Sequence, residues 1–140
     1  MLLAGPRVGT VRGVLPASLD RAWSELPSAY SAMGLTVNAV DSAAHIVGDS
    51  MTVRGKLGAI PVGELLDCAG LPSGVDADSV DVALFVTSRL EGGDQSSDAA
   101  TVVNTVQAIA RPRGAAPLAC RSRAVIERRL FEALRARVTR

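Results

Sequence analysis

The chain has 140 residues, enough for one domain with one sizeable core, and an apolar share of 48% that is ordinary for a globular protein. Its net charge of +1 provides no overall field that selects nucleic acid or an acidic surface. No run approaches the roughly 20 apolar residues that span a bilayer as a helix, so no transmembrane segment is expected.

The basic residues are 14 Arg and a single Lys, a bias typical of GC-rich coding sequence rather than of phosphate binding. Charge is unevenly placed. Residues 76–98 carry six acids against Arg89, and residues 111–140 carry nine arginines against Glu127 and Glu132. Two readings follow: solvated faces of opposite sign, or a basic surface for an anionic partner built on Arg128, Arg129 and Arg135. Under the first, Glu132 would pair with Arg128 or Arg135 along a helix.

In chain order, Met1 to Gly5 is too short for a signal peptide but resembles the tail of one. Leu2-Leu3-Ala4-Gly5 would read as a lipobox if Cys followed, but Pro6 stands there. Residues 1–6 are expected to be disordered or a remnant of a targeting segment, and residues 1–140 to form a single α+β domain. Residues 7–14 alternate as a first strand that Pro16 ends. Ser18 is a good helix N-cap, with Asp20 in the first turn. Leu19, Ala22, Trp23, Leu26, Tyr30 and Met33 then recur at helical spacing, and Gly34 fits the residue past the helix end. Pro27 inside this helix removes one hydrogen bond and should kink it.

Residues 35–40 and 46–49 alternate as the second and third strands around an Asp41-to-Ala44 turn. The third is expected to continue through Met51 and Val53 past a bulge near Gly48. Residues 58–66 read as a loop or one helical turn, and residues 70–78 as a turn-rich connector. Ser79 to Leu90 is the clearest strand, with Val80, Val82, Leu84 and Val86 on one side and Asp81, Ala83, Phe85 and Thr87 on the other. A polar hairpin loop over 91–98 leads to a partner strand over 99–111, rich in Thr and Val. Ser122 caps a last helix whose Ile126, Leu130, Leu134 and Val138 recur every four residues. The order β-α-β-β-β-β-α predicts an antiparallel sheet of about five strands packed against two helices.

Cys68 and Cys120 each close a short apolar run, Leu65-Leu66-Asp67-Cys68 and Pro117-Leu118-Ala119-Cys120. Their placement on either side of the hairpin favours a disulfide between a loop and the root of the last helix. Two reduced, buried thiols in a cytoplasmic protein are the alternative. A bridge would favour a periplasmic or otherwise exported location. It would close a loop of about 50 residues and stabilise the fold by roughly 4 kcal/mol in the chain-entropy model. The two Cα atoms should then lie about 4.4–6.8 Å apart.

Other constellations lack the pattern their chemistry needs. Zinc needs about four Cys or His ligands, and the chain has two Cys and one His. Asp41, Ser42 and His45 are the residue types of a hydrolytic triad but share one tight turn, so His45 reads as an exposed turn residue. Asp76, Asp78 and Asp81 lack the Gly and late Glu of a calcium loop. Gly55-Lys56-Leu57-Gly58 lacks the first Gly and the hydroxyl of a phosphate-binding loop. Trp23, Tyr30, Phe85 and Phe131 all fall on structural faces, leaving no stacking platform for nucleic acid. The sequence thus leads to no catalytic residue, no metal site, no cofactor and no enzyme.

The segment Val14-Leu15-Pro16-Ala17-Ser18-Leu19-Asp20-Arg21-Ala22-Trp23 enters the first helix, Leu65-Leu66-Asp67-Cys68 lies mid-chain, and a Cys precedes the last helix. In these pieces the chain resembles a loose set of uncharacterised bacterial envelope proteins. They are similar to the helix-grip arrangement of the lipoprotein component C of the outer-membrane barrel assembly machinery. The resemblance implies a helix-grip-like fold, an envelope location and a scaffolding or protein-binding role, with a protein partner in the cell envelope. It supplies no catalytic residue, and the lipidation Cys is missing. The alternative function is a helix-grip domain that binds a small apolar ligand in a cavity lined by Trp23, Tyr30, Leu84 and Phe85.

Overall fold

A computed structural model describes residues 9–92 and 99–139. Strand β1 (Gly9–Leu15) leads into helix α1 (Leu19–Ala32) and strands β2 (Ala39–Asp41) and β3 (Ile46–Arg54). A small hairpin of β4 (Lys56–Leu57) and β5 (Ile60–Pro61), the one-turn helix α2 (Val62–Leu65) and β6 (Leu66–Asp67) follow. After a 3-10 turn at Ala77–Ser79 come the long strands β7 (Asp81–Gly92) and β8 (Ala100–Arg111), then β9 (Leu118–Ser122) and α3 (Val125–Val138).

Seven of the strands form one antiparallel sheet, six of them in the order β2-β3-β7-β8-β9-β6 with β1 joined to β8. The free edge of β8 is shared: β1 pairs with its residues 100–106 and β9 with its residues 108–110. Helices α1 and α3 pack on each other and on one face of this sheet. The α+β class and antiparallel sheet expected from the sequence are present. The second strand, expected over 35–40, is reduced to Ala39–Asp41, and the two strands not expected in this sheet, β6 and β9, have only two and five residues, too few to show an alternation.

The core follows from strand parity. Val82, Leu84, Val86 and Leu90 of β7 point inward with Val102, Val106 and Ala110 of β8. They meet Ala22, Leu26, Ala29 and Tyr30 of α1 and Ile126, Leu130, Leu134 and Val138 of α3, all buried. Apolar burial on this scale is the main force holding helices to sheet. On β1 the inward positions alternate with glycines. A methyl group at Gly13 would overlap the Phe131 ring, and one at Gly9 would overlap the Glu127 carboxylate, so α3 approaches the backbone of β1 directly.

Local signals mostly hold. Ser18 Oγ accepts from Arg21 N at 3.2 Å, and Gly34 takes φ +79° just past α1. Helix α1 continues through Pro27, which sits on its exposed side. The bulge expected near Gly48 is absent: residues 46–54 pair with 89–81 without an inserted residue. Ser122 does not cap α3. The cap position is Ala124 at φ +67°, and Ser122 Oγ accepts from Ala124 N at 3.1 Å. The start of the chain and most of the 91–98 loop lie outside the described residues.

Candidate functional site

The inner sheet face carries a row of polar groups where apolar ones are the rule. Ser88 and Asn104 face each other across β7 and β8, and neither is exposed by more than 1%. Ser88 Oγ donates to Asn104 Oδ1 at 2.6 Å. The Tyr30 hydroxyl of α1 lies 2.8 Å from Ser88 Oγ and, with the Ser88 proton already committed, is the donor there. Asn104 Nδ2 donates to the Glu127 carbonyl of α3 at 3.0 Å. One directed chain of hydrogen bonds thus runs from α1 across two strands to α3. Burial pushes the Tyr30 hydroxyl up to about 12, against the opposing Ser88 hydrogen bond and with the nearby Asp49 charge adding to the rise. It stays protonated and donating.

Two buried carboxylates flank the row. Glu127 is fully buried at the start of α3, with Ser122 Oγ 2.9 and 2.7 Å from its two oxygens. Its place in the first helical turn suits a negative charge. Asp49 of β3 accepts from Thr36 N and Asn38 Nδ2, both at 2.7 Å. The Asn38 side chain also pairs with Ser50 N and O, extending the short edge strand β2 by one side-chain step. All these polar groups are satisfied within the fold, and every buried side-chain N or O among the described residues has a partner.

The sequence reading placed Tyr30 on an apolar face and took Glu127 as an acid on a solvated helix. The signal for the row was parity. Ser88 continues the inward series Val82, Leu84, Val86, and Asn104 falls between inward Val102 and Val106.

Cys68 and Cys120 form a disulfide, with Cα atoms 4.5 Å apart. It joins the end of β6 to the middle of β9, where Leu66–Ser122 and Asp67–Arg121 also pair. The bridge is compatible with an oxidising, exported location. Among the described residues no helix is long and apolar enough to cross a membrane.

His45 lies in the turn, as expected, but is not fully exposed. It is half-buried at φ +56°, with its ring edge-on to Trp23 at 5.3 Å. Asp41 turns away from it and accepts from Ala44 N at 3.1 Å. Asp76 accepts from Asp78 N and so caps the 3-10 turn, and Asp78 accepts from Gly63 N at 2.6 Å in the first turn of α2, so both carboxylates serve the backbone. The four residues named for an apolar cavity do not converge: Tyr30 and Leu84 point into the core, whereas Phe85 lies on the outer sheet face, 37% exposed.

On α3, Arg128, Arg129 and Arg135 are exposed. The expected pairs with Glu132 do not form. The ion pairs among the described residues are Arg12–Glu91, Arg89–Glu91 and Arg54–Asp81. The Arg12 guanidinium, then that of Arg89, holds the Glu91 carboxyl below its usual range. Arg128 folds back onto the Ala124 and Arg123 carbonyls, at 3.2 and 3.4 Å.

No protein-family model matches the sequence, and no curated protein matches it. Solved structures do resemble the fold. A point mutant of Thalictrum flavum norcoclaurine synthase, in complex with a transition-state analogue, aligns with a TM-score of 0.55 at 10% identity, covering 99% of this chain and 98% of that one. Ara h 8.0201 aligns at 0.49 with 13% identity over 96% and 99%. A conserved protein from Geobacillus kaustophilus aligns at 0.48 with 10% identity over 94% and 95%. This chain has the helix-grip fold.

One sequence-based expectation finds no support in these likenesses, and one is corrected by the first of them. Nothing in them ties the chain to the barrel-assembly lipoprotein or to the bacterial envelope. The expectation that the chain is no enzyme does not stand, because norcoclaurine synthase, an enzyme, has this fold, and the fold alone neither assigns nor excludes catalysis.

Proposed function

We propose that this chain is an exported helix-grip domain that holds an acidic protein partner of the cell envelope against the outer face of α3. The observation that carries this reading is the unpaired state of that face. The side chains of Arg129 and Arg135 make no ion pair or hydrogen bond among the described residues, and the Arg128 guanidinium donates only to backbone carbonyls. The buried side of α3 is locked into the core, so these cations are presented on a rigid support. Charges at an interface rim act mainly on association rate and on partner choice. Glu132 among them would reject a partner with an acid at the matching position. The disulfide supports the exported setting.

The test compares proteins retained from envelope extract by the disulfide-intact chain and by its Arg128→Glu/Arg129→Glu/Arg135→Glu variant. The expected result is a defined acidic protein that is lost in the variant and released by raised salt. Identical retention by both forms overturns the reading, and retention of anionic vesicles instead moves the surface from protein to lipid.

A second reading, a small apolar ligand between sheet and helices, is favoured by the fold shared with norcoclaurine synthase. Trp23 is the one tryptophan of the chain and stands half-buried against His45. Titration with naphthalene should then change Trp23 emission saturably; an unchanged spectrum at the solubility limit removes this reading.

A further inference from the structure

At one end of the sheet, three neighbouring strands bring charged residues into a single row. Arg54 ends β3, Asp81 begins β7 and Arg111 ends β8, and the register sets Asp81 opposite both arginines. Asp81 pairs with only one of them. Arg54 Nη1 lies 3.1 Å from its Oδ1, while Nη2 donates to the Ser79 carbonyl at 3.1 Å. The side chain of Arg111 has no ion pair or hydrogen bond among the described residues, and neither has that of Arg113 just beyond it.

Arg54, Arg111 and Arg113 all line a cavity of about 230 Å³. Its remaining wall is largely apolar, made by Val75, Val80 and Pro112, of which the last two are buried. The cavity therefore joins two unmatched guanidinium groups to an apolar surface, and its one carboxylate is already paired.

We propose that this cavity binds a small organic carboxylate. The head group would take the forked donors of Arg111 and Arg113, a geometry that guanidinium offers to carboxylate. A short apolar body would lie against Val75, Val80 and Pro112. Inorganic anions satisfy the arginines but leave that wall wet. The volume is below the roughly 300–1,000 Å³ of pockets that take drug-sized ligands, so the occupant is a short-chain acid rather than a long acyl chain. This site shares no residue with the α3 face and stands or falls separately from the function proposed above.

Calorimetric titration of the disulfide-intact chain with hexanoate tests the proposal, with hexan-1-ol and inorganic phosphate as comparison ligands. Hexanoate should bind saturably and more tightly than either. Arg111→Gln/Arg113→Gln should weaken it by at least about tenfold, while Arg129→Gln/Arg135→Gln leaves it unchanged. Both pairs are exposed, and an unaltered circular dichroism spectrum confirms the fold. Absence of hexanoate binding at millimolar concentration overturns the site. Equal binding of hexanol removes the arginine role, equal binding of phosphate removes the apolar wall, and unchanged affinity in Arg111→Gln/Arg113→Gln removes the assignment to this cavity.

Discussion

Ser88 and Asn104 sit directly opposite each other on adjacent strands, joined by a 2.6 Å hydrogen bond at the centre of an otherwise apolar face. Each also holds a helix, Ser88 through Tyr30 and Asn104 through the Glu127 carbonyl. Removing Asn104 therefore takes a partner from two buried groups at once. Asn104→Ala should lower stability by about 3 kcal/mol, at the upper end of the cost of an unsatisfied buried group. Urea unfolding checks this, and a loss below about 1 kcal/mol would show that the row is incidental.

Tyr30→Phe should cost less, about 1–2 kcal/mol, because Ser88 keeps its bond to Asn104. Its effect depends on pH. The folded Tyr30 hydroxyl is raised from 10.0 to about 12. Below pH 10 both folded and unfolded states hold the proton and the full stability is present. Between pH 10 and about 12 the unfolded chain loses the proton while the folded chain keeps it, so stability falls as pH rises. The loss approaches about 2–3 kcal/mol, at 1.36 kcal/mol per unit. Tyr30→Phe should lack this component of the slope. Tyr30 is the one tyrosine of the chain, so alkaline absorbance titration reads its ionisation directly.

The disulfide spans 52 positions. Cys68→Ala/Cys120→Ala should be less stable by roughly 4 kcal/mol in the chain-entropy model. The same shift should follow addition of a thiol reductant to the parent. A variant with an unchanged urea midpoint would mean that the bridge adds nothing to stability.

Gly13 accommodates Phe131. Gly13→Ala should destabilise by about 1–3 kcal/mol, the usual cost of overpacking. Combination with Phe131→Leu should recover part of that loss, so the double variant should be more stable than the two single effects added together. Strict additivity by thermal melting would place the strain elsewhere.

The long elements were legible in the sequence because each carries a full periodic stripe. Val80 to Val86 alternates over a strand of period two, and Ile126 to Val138 repeats with a helical period. The cysteine pair was legible as well, from placement alone. The short strands were not, since β6 has two residues and owes its form to pairing with β9. The polar row went unread because Ser88 and Asn104 are 16 positions apart and gain meaning only when register puts them face to face. The basic helix was legible as charge. Its missing ion pairs depend on rotamers, which a charge pattern leaves open.

The shared edge of β8 orders events during synthesis. The first strand of the protein pairs only with residues 100–106, and the disulfide waits for residue 120. A chain emerging from its N-terminus must carry β1 without its partner strand until residues 100–106 have appeared. Such distant pairing slows folding and prolongs exposure of apolar surface. The β2-β3-β7 part of the sheet can pair earlier, so a nascent chain stalled before β8 should be most open to protease at β1.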